Sequence, residues 1–311
     1  MDTKKVFTKK IQALDSIRFF MILLIVMSHF DSLNNFENSY GIYMAFRTLA
    51  GMAVDYFFIL SGFGMMYSYI QKDQLLSLKP ISLINYAITH VKKLYGLYFI
   101  LLLICVPYDI LSYFDSYGCI DVRCFAREIL KLFFCVPLLQ SSSGLIQLSC
   151  ALNGVSWFLS TLFCIYLVSP ILLSFLGKIN RIKSITIALV VNILILVAVR
   201  ELFLEIQNRT FFNSLVYCSP YCRIFYVTIG MIVAKIVVHL KPKVSLNGNF
   251  CWTTTELLTI LFVIALSASK ILALPFISVL LPYTGIFISV ALIIMFSFEK
   301  GFVSFILQRG G

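Results

Sequence analysis

Runs of about twenty apolar residues recur along this chain, each long enough to cross a hydrocarbon core as an α-helix. Backbone amides and carbonyls in lipid find no water, so a spanning segment must pair them internally. Uninterrupted apolar runs do this as helices, whereas barrel strands alternate apolar and polar positions. Eight spans are predicted, at 17–33, 50–70, 92–111, 156–177, 184–202, 214–237, 254–273 and 276–297. With 60% apolar and 13% charged residues among 311, lipid must be the solvent for most of the surface. The expected fold is an all-α polytopic membrane protein forming one integral domain over residues 1–311. "FAREILKLFFCVPLLQ" (125–140) is too short and too charged for a crossing, and is expected to be an interfacial or re-entrant helix on the outer side.

The formal net charge of +11 could suggest nucleic acid as a partner, but its distribution argues otherwise. Lys4, Lys5, Lys9 and Lys10 precede the first span, and Lys72, Lys79, Lys92 and Lys93 lie between the second and third. Lys178, Arg181 and Lys183 form another cluster, Lys235, Lys241 and Lys243 the next, and Lys300 and Arg309 the last. Positive charge in every second connection is the positive-inside pattern, which puts the amino terminus in the cytoplasm. The basic "MDTKKVFTKK" leads into a full-length apolar run with no small-residue cleavage site, so that run is read as the first span rather than a signal peptide. The nine cysteines show no CxxC pair or Cys/His ligand spacing, and no metal is expected. Cys119 and Cys124 fall in a predicted outer loop, where a disulfide and two free thiols are equally open.

A few ionisable residues inside apolar segments need a reason. "LDSIRFFMILLIVMSHF" holds Arg18 and His29, eleven residues apart. Eleven helical residues turn through about 1,100°, so both side chains share nearly one face, roughly 16 Å apart along the axis. Asp15, three residues before Arg18, is placed to hold its guanidinium. Singly, each would be an end anchor or an interfacial residue; together on one stripe they mark a functional site. In "AVDYFFILSGFGMMY", Asp55 is predicted at the depth of His29 and suited to orient an imidazole. Ser61 and Gly62 allow either close helix packing or passage of a thin ligand. Arg223 inside the sixth span is expected to face a pore, and Trp157 opens its span at the outer interface as a belt anchor or a sugar-stacking residue.

These residues carry a resemblance to the acyltransferase family 3 membrane proteins. The first helix resembles the family's Arg, ten residues, His pattern, and "DYFFILSGF" its D-x-F-F-x-L-S-G-F motif. "WFLSTLFCIYLVSPILL" and "SPYCRIFYVTIGMIVA" continue the likeness in the family's order. The resemblance implies about ten spans in a complete member and transfer of an acyl group, usually acetyl, from cytoplasmic acyl-coenzyme A. The acceptor would be a hydroxyl of a cell-surface or exported carbohydrate or lipid-linked glycan, at the cytoplasmic (inner) membrane. It implies a catalytic His29 oriented by Asp55, and donor binding by Asp15, Arg18, Ser61, Gly62, His90, Lys92 and Lys93. Trp157 and Arg223 would contact the acceptor. The chain departs from the family at "THVKKLYGLY", which offers His90 and Lys93 where two arginines are usual, and Gly96 where proline is common. It also ends in "FEKGFVSFILQRGG", where family members usually continue into a further helix, so a truncated chain is expected. A non-catalytic transporter using the same polar stripe, or an inactive family member, are the competing readings.

Overall fold

The computed structural model describes residues 11–30, 40–71, 157–209, 215–241, 249–272 and 281–309, with scattered positions between 85 and 100. These residues form helices and no strand. In chain order the helices are α1 (Gln12–Ser28), α2 (Tyr40–Gln71), α3 (Trp157–Gly177), α4 (Ile182–Arg209), α5 (Leu215–Cys218), α6 (Pro220–Leu240), α7 (Asn249–Ile271), α8 (Thr284–Phe296) and α9 (Phe302–Arg309). The protein is an all-α polytopic membrane protein: among the described residues five helical stretches are long and apolar enough to span, namely Tyr43–Gln71, Trp157–Gly177, Ile182–Ile206, Val216–Leu240 and Cys251–Ile271. The predictions at 125–140, Cys119, Cys124, Lys93 and most of 92–111 lie outside the described residues.

Helix boundaries depart from hydropathy where the backbone chemistry is specific. α2 begins at Tyr40, ten positions before the predicted span. The run at 214–237 is broken after Cys218, because Ser219 caps a new helix: its Oγ accepts the Tyr221 N–H at 3.1 Å, and Pro220 occupies the first helical position. The run at 276–297 is shortened in the same way. Pro282 lies in a 3₁₀ turn, Leu281–Tyr283, so α8 starts only at Thr284 and has 13 residues.

The described residues cluster in two compact units. The first comprises Met1–Gln74, Ile179–Leu189 and Tyr226–Gly311. α2 lies at its centre, with α1, α7 and α8 packed on it, and α9 packed on α1 and α7. Tyr56, Phe58, Ile59 and Met66 of α2, Ile229 and Met231 of α6, and Phe296 of α8 fill the core. Two glycines let α2 and α6 approach. A Cβ on Gly62 would overlap the backbone carbonyl of Val227, and one on Gly230 that of Ile59. The second unit, Leu75–Lys178 and Val190–Phe225, packs α3 against α5. There Thr161 Oγ1 donates to the Cys218 carbonyl at 2.5 Å, and Asn192 Nδ2 to the Phe225 carbonyl at 3.0 Å.

The exposed faces are the oily ones. Ile187, Leu194 and Leu202 of α4 and Leu258, Leu261 and Ile264 of α7 are all more than half exposed, while Asp55, Arg223 and Glu256 are buried. Apolar outside and charge inside is the distribution a lipid solvent imposes.

Candidate functional site

α1 buries only its first half. Ala13, Leu14, Ser16 and Ile17 face inward, whereas Arg18, Phe19 and Phe20 are exposed. Asp15 and Arg18 project from this half as an intrahelical ion pair, Oδ1 to Nη1 at 2.7 Å, as their spacing predicts. They form one wall of a cavity of about 290 Å³. The other wall comes from α2, where Leu60, Phe63, Gly64, Tyr67, Ser68 and Gln71 line it. Phe63 and Tyr67 stack there with ring centroids 5.4 Å apart.

Three contacts from distant segments hold this end of α1. The Tyr56 hydroxyl donates to the Leu14 carbonyl at 3.5 Å, the Ala13 N–H to Glu299 Oε1 at 3.3 Å, and Ser16 Oγ to the Leu307 carbonyl at 2.5 Å. The last two come from the 299–307 segment, which Glu256 of α7 fixes in turn. The Glu256 carboxylate accepts the N–H groups of Gly301 (3.0 Å), Val303 (2.9 Å) and Ser304 (3.3 Å), and the Ser304 hydroxyl. Those amides belong to the first turn of α9, where no intrahelical acceptor exists and negative charge is favoured.

Other predicted site residues take different places. Ser61 Oγ donates to the Phe57 carbonyl of its own helix at 2.7 Å, and Gly62 is engaged in the crossing with α6. Helix packing accounts for both, and the glycine at the cavity is Gly64, which has open space where a Cβ would stand. Asp55 is 6% exposed, and its carboxylate lies against Gly285, where any Cβ would overlap it. Gly285 is in the first turn of α8, so this carboxylate also meets a helix amino terminus. His29 follows the last residue of α1 and is exposed; Arg18 lines the cavity described above and His29 is not part of its wall.

In the second unit, Trp157 and Arg223 converge on a residue that sequence reasoning missed, Tyr217. The indole packs 5.0 Å from the phenol ring at 51°, and the guanidinium stands 4.8 Å from the same centroid. Arg223 is 3% exposed, and its Nε donates to the Tyr217 carbonyl at 2.7 Å. His90 lies between Tyr86 and Tyr166, with centroids at 4.2 and 5.2 Å, and its Nδ1 is 2.9 Å from the Tyr86 carbonyl, so that nitrogen carries the proton. Lys92 is exposed.

Glu256, Gly285, Gly64, Tyr67 and Tyr217 were not singled out by sequence. Glu256 alone gave a usable signal, a lone acid inside an apolar run. Among the described residues no group of His, Cys, Asp and Glu could hold a metal ion.

Comparison with known proteins returns one family. No curated protein and no solved structure matches the chain significantly. A family model described as an acyltransferase domain matches residues 11–309, nearly the whole length. The chain belongs to the acyltransferase family 3 membrane proteins.

Proposed function

We propose that this membrane acyltransferase takes an acetyl or similar acyl group from acyl-coenzyme A and passes it to a hydroxyl of a cell-surface or exported carbohydrate. The observation that carries the donor half is the cavity between α1 and α2, where a guanidinium held by Asp15 stands beside a wall of stacked aromatics. Arg18 suits phosphate, because its planar fork forms paired charge-assisted hydrogen bonds. Positive charge in every second connection of the sequence supports a cytoplasmic position for this end of α1, the side on which acyl-coenzyme A resides. The family resemblance gives His90, Lys92 and Lys93, which stand in place of its usual arginines, donor-binding roles as well.

His29 acts as general base. It takes the proton of the acceptor hydroxyl while that oxygen attacks the thioester carbonyl; the carbon–sulfur bond breaks and the coenzyme A thiolate leaves, to be protonated in turn. Asp55 is the buried carboxylate that steadies the imidazolium, and α8, whose first turn Asp55 touches, shares in setting that position. Trp157 and Arg223 contact the acceptor, with Tyr217 between them.

The test uses purified protein in nanodiscs, with direct coenzyme A binding and release of free thiol from acetyl-coenzyme A in the presence of carbohydrate acceptors. Arg18→Ala weakens coenzyme A binding at least about tenfold, and Arg18→Lys restores it in part. Unchanged affinity in Arg18→Ala would remove the donor from this cavity.

A further inference from the structure

Tyr67 stands in the wall of the Arg18 cavity and is only 7% exposed. Its ring is fixed by the stack on Phe63. A phenol hydroxyl both accepts and donates. As acceptor it is served by Lys241, whose Nζ donates to it at 3.2 Å and lies 5.7 Å from the ring centroid. As donor it has no acceptor among the described residues, although it is more than nine-tenths buried and borders a cavity. A buried hydroxyl with an idle proton is costly unless something in the cavity accepts it. Lys241 sharpens the demand: a cation donating to the phenol oxygen polarises the O–H and makes it a stronger donor toward an anion. It also brings a second positive charge to the wall opposite Arg18, from just beyond the end of α6.

We propose that Tyr67, backed by Lys241, is a phosphate-binding residue of this cavity, donating its hydroxyl proton to a phosphate oxygen that Arg18 also contacts. Two sources offer that chemistry, the phosphate end of the nucleotide donor and a phospholipid headgroup, and the donor is the one assigned here. The assignment rests on the donor reading given above. Lys241 acts through Tyr67 rather than on the ligand itself, since Tyr67 and not Lys241 lines the cavity.

The experiment measures binding of coenzyme A, and of pantetheine, which lacks the phosphates, to the full chain in lipid-free detergent. Tyr67→Phe keeps the ring and its stack and removes only the hydroxyl. It weakens coenzyme A binding about tenfold and leaves pantetheine binding unchanged. Lys241→Met gives a smaller loss, about threefold to tenfold, and the double variant is no weaker than Tyr67→Phe alone, because both act on one contact. Equal coenzyme A affinity in Tyr67→Phe and the parent would overturn the proposal, as would additive losses in the double variant. Loss of a co-purifying phospholipid from Tyr67→Phe, with coenzyme A affinity intact, would overturn it in favour of a lipid headgroup. Arg18→Ala separates the two levels. If it weakens coenzyme A binding while Tyr67→Phe leaves it unchanged, this inference fails and the donor cavity stands; if Arg18→Ala has no effect, the cavity itself is wrongly assigned.

Discussion

Replacing Glu256 by alanine removes the acceptor of three backbone N–H groups and one hydroxyl, at a carboxylate with no exposed surface. Hydrogen bonds to a charged group contribute about 1.5–3 kcal/mol each, which for four bonds would suggest roughly 6–12 kcal/mol. That total is not reached, for two reasons. Burying the carboxylate has already cost several kcal/mol, and α9 has an exposed side, with Phe302, Phe305 and Ile306 about half exposed or more, so its first turn can recover water by lifting away. The net loss is therefore set by undocking an eight-residue helix and is about 3 kcal/mol, close to one broken buried charge contact. Hydrogen exchange of the α9 amides reads this directly. A loss of about 3 kcal/mol in the local opening free energy speeds exchange roughly a hundredfold, while α2 and α6 remain protected. Ser16 and Ala13 then lose their partners on the 299–307 segment, and coenzyme A affinity falls with them, because Arg18 is two residues from Ser16. Unchanged exchange over residues 302–309 in Glu256→Ala would refute the capping argument.

Gly301→Ala reaches the same contact from the other side, since its Cβ overlaps the Glu256 carboxylate; it should loosen α9 in the same exchange assay. Gly230→Ala and Gly62→Ala should each reduce the thermal stability of the detergent-solubilised protein by the equivalent of about 2 kcal/mol or more, because the obstructing atoms are backbone and cannot rotate away. Gly64→Ala, with open space at the Cβ, should leave stability unchanged in the same melt. His29→Ala should lower acyl transfer by about a hundredfold to ten-thousandfold with the protein still folded, checked by single-turnover kinetics beside intact coenzyme A binding. Gly285→Ala should displace Asp55 and reduce turnover at saturating donor more than it raises donor KM, measured as a kcat against KM split.

What could be read in the sequence was local. The Asp15–Arg18 pair follows from a three-residue spacing on one helix, and the helical spans follow from run length, because both are properties of a single segment. The breaks at Ser219–Pro220 and Pro282 were also written locally, as a capping residue before a proline and a proline inside an apolar run. A hydropathy window averages across such positions, so two predicted spans ran through them. The partners that build the site are of another kind. Lys241 meets Tyr67 across 174 positions and Glu256 meets Gly301 across 45. Nothing in the apolar period of one helix encodes which residue of another it will face.

The difficulty is sharper in lipid than in water. A soluble helix shows its buried face by its apolar stripe, but here the outward face is as apolar as the inward one or more so: α7 leaves Leu257, Leu258, Leu261 and Ile264 exposed while burying Glu256. The informative residues are then the exceptions, charges and glycines, and each must be taken up somewhere inside. Four of them illustrate the rule. Asp55 is answered by the bare backbone at Gly285, Glu256 by that at Gly301, and Gly62 and Gly230 by the carbonyls they let approach. In each case a glycine is the surface against which the other helix rests, so an acid in one span and a glycine at the start of another are best read as candidates for the same contact. Tyr67 extends the argument to ligands, for its proton is the exception in this cavity that no described residue takes up.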